Sequence, residues 1–393
     1  MAMMAVTAGE DWRALAARVA DGLGPWRLPT EPPTRTRQML VLAARAYLSE
    51  DDARQIRALG QQLSENEWHD FLALARIERL ATLVYAQIAA AGLLSAMPPE
   101  VSAAFTDDYR VTLLTNLRIR TTLEGLLDQL TTAGIATIPV KGIVLTERLY
   151  GNPGWRRIRD IDLLVRREDA DQAGALLRKG GYHPDEKQSR AGTFAAIEYT
   201  ETKYTRDDSA MIELHWSLSK RPSYRRALAS LDIWERAVPQ IWRGRSIHVL
   251  APGDELRYLA VHCTADHSDS PLNWLVDVAE VVRGLPADWS WDDFVAETIQ
   301  AGLATPVGLA LAQCRAVLHL DVPEGALAGM LRAALAPRER EAWQSAWAAY
   351  LSRAWIADHL RAISSRRERA RFAVGALVRV AARAAHLWHP PRT

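Results

Sequence analysis

Alternation of apolar and polar residues is concentrated in the middle of this chain. From the start to about Thr112, and again from Pro252 onward, apolar residues recur at spacings of three and four, the period of an amphipathic helix. Between those stretches lie short runs that alternate at every second position, the period of a half-buried strand. A chain of 393 residues patterned in this way can build one small sheet near its centre and must cover it with helices. The expected class is therefore α+β, a small mixed β-sheet core flanked by helical regions. The divisions are a helical N-terminal region at 1–110, an α/β core at 111–250, and a helical C-terminal region with a basic tail at 251–393.

Local signals fill in that outline. Gly22, Gly24, Pro25, Pro29, Pro32 and Pro33 interrupt the first helix, and Ser64-Glu65-Asn66-Glu67 is a capping box ahead of a further helix. A leucine-rich helix from Thr112 is expected to stop near Gly134, followed by a strand over 135–140 and a helix over 143–150. A strand over 158–165, a helix over 169–179, and two β segments over 193–205 and 210–216 come next, the last two parted by the turn Arg206-Asp207-Asp208-Ser209. Helices are expected over 255–265, 272–283, 291–300, 306–318 and, unbroken, 338–363.

Charge narrows the function classes. The chain total of +1 gives no reason to expect DNA or another polyanion as a general partner. That total hides an asymmetry: residues 361–393 hold eight arginines and one acid, Glu368, a net +7 that leaves the first 360 residues at −6. The basic tail suits a solvated helix, an anionic partner or a membrane surface. Phe372–Val378 is far shorter than the roughly 18 apolar residues that span a bilayer. Two cysteines, Cys263 and Cys314, and an N-terminus without a basic, apolar leader pattern lead us to expect a cytoplasmic protein.

The chemistry concentrates in two alternating runs. In Asp160-Ile161-Asp162-Leu163 the two carboxylates share one face of a strand, and in Ile212-Glu213-Leu214-His215 a third acid shares a face with a histidine. Side by side, the strands would gather Asp160, Asp162 and Glu213 into a cluster of hard oxygen donors, which favours Mg²⁺ or Mn²⁺ over zinc. Lys141-Gly142, between a strand and a helix, presents free amides and an ammonium suited to phosphate, with Arg156, Arg157 and Arg159 nearby. Each feature also has a plainer reading: acids on the wet face of a surface strand, a histidine packed beside Trp216, arginines on a solvated face. On an α-helix His262 and His267 would stand about 140° apart, which argues against a shared zinc ion. No nucleophile-elbow, P-loop or dinucleotide-binding glycine motif is present.

Taken together, Val140-Lys-Gly, Leu149-Tyr150, Arg156, Asp160-Ile-Asp-Leu-Leu-Val and Ile212-Glu-Leu-His-Trp resemble the uncharacterised nucleotidyltransferase family of the DNA polymerase β superfamily, over roughly residues 70–320. The resemblance implies a minimal nucleotidyltransferase sheet with Asp160 and Asp162 as a metal pair and Glu213 as the third acid, where the superfamily often has Asp. Lys141-Gly142 takes the place of the superfamily's Gly-Ser phosphate loop, and Arg156 and Arg159 join it as nucleotide-binding residues. The segment from Val261 to Asp277 also resembles the family's C-terminal helical part, where His262, His267 and Asp277, with His215, are expected either to line the acceptor side or to serve packing. The expected activity is metal-dependent transfer of an NMP from an NTP to a hydroxyl or phosphate acceptor with release of pyrophosphate, Glu213 also being available to the acceptor's proton. The acceptor would be a small molecule, a peptide natural product or a protein. The alternative is a non-catalytic nucleotide-binding or adaptor protein on the same scaffold.

Overall fold

The computed structural model describes residues 11–21, 32–185, 200–267, 271–348, 352–363 and 365–384. The breakers between Gly22 and Pro29, residues 193–199 of the expected strand, and Trp388 with Pro390-Pro391 lie outside them. Five helices open the described chain: α1 (Trp12–Ala20), α2 (Arg35–Ala43), α3 (Glu50–Gly60), α4 (Glu65–Ile77) and α5 (Ala81–Ala90). At α4 the expected capping box forms, with Ser64 and Glu67 bonding reciprocally to each other's backbone amides.

The long helix α6 (Pro99–Thr132) starts earlier than its leucines alone indicate, at a proline placed on its first turn, and so crosses residue 110. After it come β1 (Thr137–Pro139), α7 (Gly142–Tyr150), β2 (Asp160–Val165), α8 (Ala170–Lys179), β3 (His183–Pro184), β4 (Glu201–Thr205) and β5 (Met211–His215). The sheet runs β1-β2-β5-β4-β3, with β2 and β5 parallel and the other pairs antiparallel. Ile161, Leu163 and Val165 of β2, with Ile212 and Leu214 of β5, turn one face into an apolar layer shared with Leu123, Leu127 and Leu130 of α6 and Leu177 of α8.

Two short helices, α9 (Pro222–Ala229) and α10 (Ile233–Arg236), lead into a hairpin of β6 (Val238–Trp242) and β7 (Arg245–Val249). The hairpin was not legible in the sequence because its two-residue turn is Arg243-Gly244, both at positive φ, where Asn-Gly is the usual signature. It anchors the core: Trp242 Nε1 donates to Glu147 of α7 at 2.8 Å.

Helices α11 (Pro252–Val261), α12 (Leu272–Arg283), α13 (Trp291–Ala301), α14 (Ala304–Leu318), α15 (Glu324–Ala334), α16 (Pro337–Ala346), α17 (Arg353–Ala362) and α18 (Arg366–Ala384) complete the described residues. The single helix expected over 338–363 is two, because Ser352 caps a new start by accepting from the Trp355 amide. Buried residues of α1 and α2 share one apolar core with those of α11, α12, α14 and α15. The sheet's second face, bearing Asp160, Asp162, Glu213 and His215, turns toward that helical mass, and Leu164 of β2 enters its core.

Candidate active site

Register brings the three acids together. In the parallel pair of β2 and β5, Asp162 stands directly opposite Glu213, with Asp160 two residues back on the same face. Asp162 and Glu213 are each less than one-tenth exposed. Ligand atoms of Asp162, Glu213 and His215 all lie within 4.8 Å of one another. These residues form the floor of a cleft of about 210 Å³ whose walls come from β4, the start of α7, the loop before β2, and α11 and α12.

Buried like charges demand compensation. His215 supplies part of it: its Nε2 lies 2.9 Å from Asp162 Oδ1 and 3.5 Å from Glu213 Oε2, and its Nδ1 lies 3.2 Å from Glu201 Oε2. Burial disfavours the imidazolium, yet these carboxylates push its pKa up to about 9, so it is charged at neutral pH. Lys203 of β4 pairs with Glu213 and Lys141 reaches Asp162 at 3.3 Å. Burial raises the Glu213 pKa, but His215 and Lys203 together hold it far below the ordinary range. Lys141 and His215 likewise outweigh burial at Asp162 and lower it. Among the described residues no cation lies so close to Asp160. Burial and the neighbouring Asp162 and Glu213 charges raise its pKa to about 6.

The turn into α7 is strained in a way that serves the cleft. Lys141 has φ 56° and ψ −140°, a region that side chains rarely occupy, and Gly142 follows at φ +55°. A bond from the Val140 amide to the Asp162 carbonyl (3.1 Å) and one from the Leu145 amide to the Lys141 carbonyl (3.3 Å) hold the turn at its two ends. Lys141 and Gly142, at the start of α7, line the cleft beside the acids.

The arginines separate by burial. Arg156 is buried and donates from Nε and Nη2 to both carboxylate oxygens of Asp277 in α12, at 2.7 to 3.0 Å, while Asp277 also accepts from the Tyr150 hydroxyl at 2.7 Å. Asn116 of α6 donates to the Pro153 and Arg156 carbonyls and accepts from the Ile158 amide, which fastens the loop leading into β2. Arg156 and Asp277 thus clamp that loop. Arg157 and Arg159 are exposed along the cleft wall.

His262 and His267 meet after all. Residues His262–Asp266 continue α11 as one π-helical turn, whose wider winding brings the two rings to 4.7 Å, each also within 4.8 Å of the Trp274 ring. The α-helical spacing assumed from sequence misplaced them. The neighbours that sequence reading missed are Glu201 and Lys203, which share a face of β4 and were legible in the alternation of Glu201-Thr-Lys-Tyr-Thr, together with Tyr258 and Arg79.

A family model for uncharacterised nucleotidyltransferases matches residues 64–319. No curated protein matches the chain. The chain belongs to that uncharacterised nucleotidyltransferase family.

Proposed function

We propose that this nucleotidyltransferase moves an NMP from an NTP to an acceptor hydroxyl or phosphate, and that Asp160, Asp162 and Glu213 hold Mg²⁺ or Mn²⁺. The observation that carries the reading is the β2–β5 register, which sets Asp162 against Glu213 with Asp160 on the same face of the cleft floor. The donor set fits a hard divalent cation: three carboxylates from two adjacent strands, with ligand atoms of Asp162 and Glu213 within 4.8 Å. Bound there, such a cation would neutralise phosphate charge and stabilise the entering and leaving oxygens.

The protein's own groups do the remaining work. The amides opening α7 and the Lys141 ammonium would receive the triphosphate, and Arg159 with Arg157 would meet the departing pyrophosphate at the rim. The acceptor oxygen forms a bond to the α-phosphorus as the bond from that phosphorus to the pyrophosphate oxygen breaks. Pyrophosphate leaves with the electron pair and the acceptor proton passes to solvent. Glu213, held ionised by His215 and Lys203, suits a ligand and not a proton acceptor. Arg156, occupied by Asp277, is a positioning residue for the loop before β2 and not a phosphate contact.

The cations already paired with Asp162 and Glu213 favour the second reading, a nucleotide binder without turnover. A screen of NTPs for pyrophosphate release against cell-lysate acceptors separates the two. Transfer requires NTP- and Mg²⁺-dependent release that falls about a thousandfold in Asp162→Ala. Release at the wild-type rate in that variant would refute the metal assignment, and calorimetric NTP binding without any release would favour the binder.

A further inference from the structure

A line of rings leads away from the acids. Lys141 Nζ, 3.3 Å from Asp162, stands 5.6 Å from the Tyr258 ring centroid. Tyr258 lies 6.2 Å from His262, which lies 4.6 Å from Trp274, with His267 closing a three-ring cluster. Arg79 ends the line, its guanidinium carbon 5.6 Å from the Trp274 centroid. Apart from the buried Tyr258, these rings are half-buried, and all line the cleft.

Three observations mark this line as built to receive something. First, Arg79 has φ +56° just beyond the end of α4, a position that glycine occupies with less strain, yet it carries a long cation into the cleft. Among the described residues no carboxylate pairs with it. Second, Asn273 beside Trp274 is 5% exposed, lines the cleft, and leaves its side-chain oxygen without a hydrogen-bond partner among the described residues. A buried polar atom of that kind is costly to leave unpaired unless a ligand satisfies it. Third, the Arg79 end of the wall is pinned: Glu78 accepts from the Leu272 amide at 2.7 Å through its side chain and from the Asn273 amide at 3.2 Å through its carbonyl. Arg79 and Trp274 are thereby fixed face to face.

We propose that the Tyr258, His262, His267 and Trp274 wall, with Asn273 and Arg79, is the acceptor subsite, and that it takes a planar aromatic compound carrying a hydrogen-bond donor and an anionic group. The Trp274 ring stacks on the plane of the acceptor while the His262 and His267 rings, tilted 54–57° to it, meet the acceptor's edge, Asn273 receives its donor, and Arg79 holds its anion at the end remote from the acids. The reacting group then lies toward Asp162. This assignment rests on the nucleotidyl-transfer reading of the same cleft.

The test uses the full chain and a fluorescent probe with those three features, 6-aminonaphthalene-2-sulfonate, whose sulfonate is a poor metal ligand. Anisotropy is expected to show binding that 2-naphthylamine and methanesulfonate compete for only weakly. Arg79→Gly removes the guanidinium while suiting the positive φ, so the fold is kept, and it should weaken the probe at least about tenfold. Trp274→Ala should do the same and Trp274→Phe should restore most of the affinity. Arg159→Ala and Asp162→Asn should change it by less than about twofold. No probe binding, unchanged binding in Arg79→Gly, or a larger loss in Arg159→Ala than in Arg79→Gly would overturn the assignment. Mn²⁺ binding by the same proteins reports on the acids separately. A wild-type chain that binds the probe but no Mn²⁺ breaks the transfer reading and leaves the subsite, and the reverse result breaks only the subsite.

Discussion

The two faces of β2 are made from alternate residues of one six-residue strand, yet they are held by different physics. Ile161, Leu163 and Val165 pack into a dry layer against α6 and α8. Asp160 and Asp162 bury charge that Lys141, His215, Lys203 and Arg156 offset. Packing on the first face depends on volume and pattern, so many apolar residues would serve. On the second face every charge depends on a particular partner, because a single removal strands another charge in a poorly solvated place. A shared strand therefore couples a forgiving core to an unforgiving cleft.

Mutations on the two faces should separate these two kinds of dependence. The largest stability effect is expected at the charged side's anchor: Arg156→Ala leaves Asp277 buried and unpaired and should cost about 3–5 kcal/mol in denaturant unfolding. The double change Arg156→Met with Asp277→Leu should recover most of that loss. If the single change costs no more than a surface substitution, paired charge is not what holds the loop before β2. On the apolar face, Leu163→Ala should cost about 3 kcal/mol by the same measurement while leaving activity per folded molecule near wild type. A Leu163→Ala protein that is folded but inactive would show that the two faces are less separable than the geometry indicates.

The same contrast explains what could be read from the sequence. The apolar face was legible in the alternation of 160–165 and 211–215, and so was the aim of Asp160, Asp162 and Glu213, since a two-residue period needs no tertiary information. Their counter-charge Lys203, and Glu201 beside it facing His215, were less legible, although the two alternate in the same way. The capping box at Ser64 is local and was readable. Arg156 read as a phosphate contact because its partner, Asp277, lies 121 residues further on, a distance that no local pattern bridges. The His262–His267 pairing was hidden by one π-helical turn, since the spacing rule assumed an α-helix. At the break before Ser352, apolar periodicity ran through a local cap that starts a new helix.

Whether Asp160, Asp162 and Glu213 form a divalent-cation site is decided by a Mn²⁺ titration followed by electron paramagnetic resonance. The wild-type chain should bind Mn²⁺ in the presence of NTP, and Asp162→Asn should weaken that binding at least about a hundredfold while keeping the fold. The pH profile carries the second half of the prediction. The Asp160 carboxyl is raised to about 6, so below that pH a cation must displace a proton. Apparent affinity should then fall about tenfold per pH unit and level off above it. Mn²⁺ binding that is equal in Asp162→Asn and wild type, or flat between pH 5 and 7, would contradict the claim.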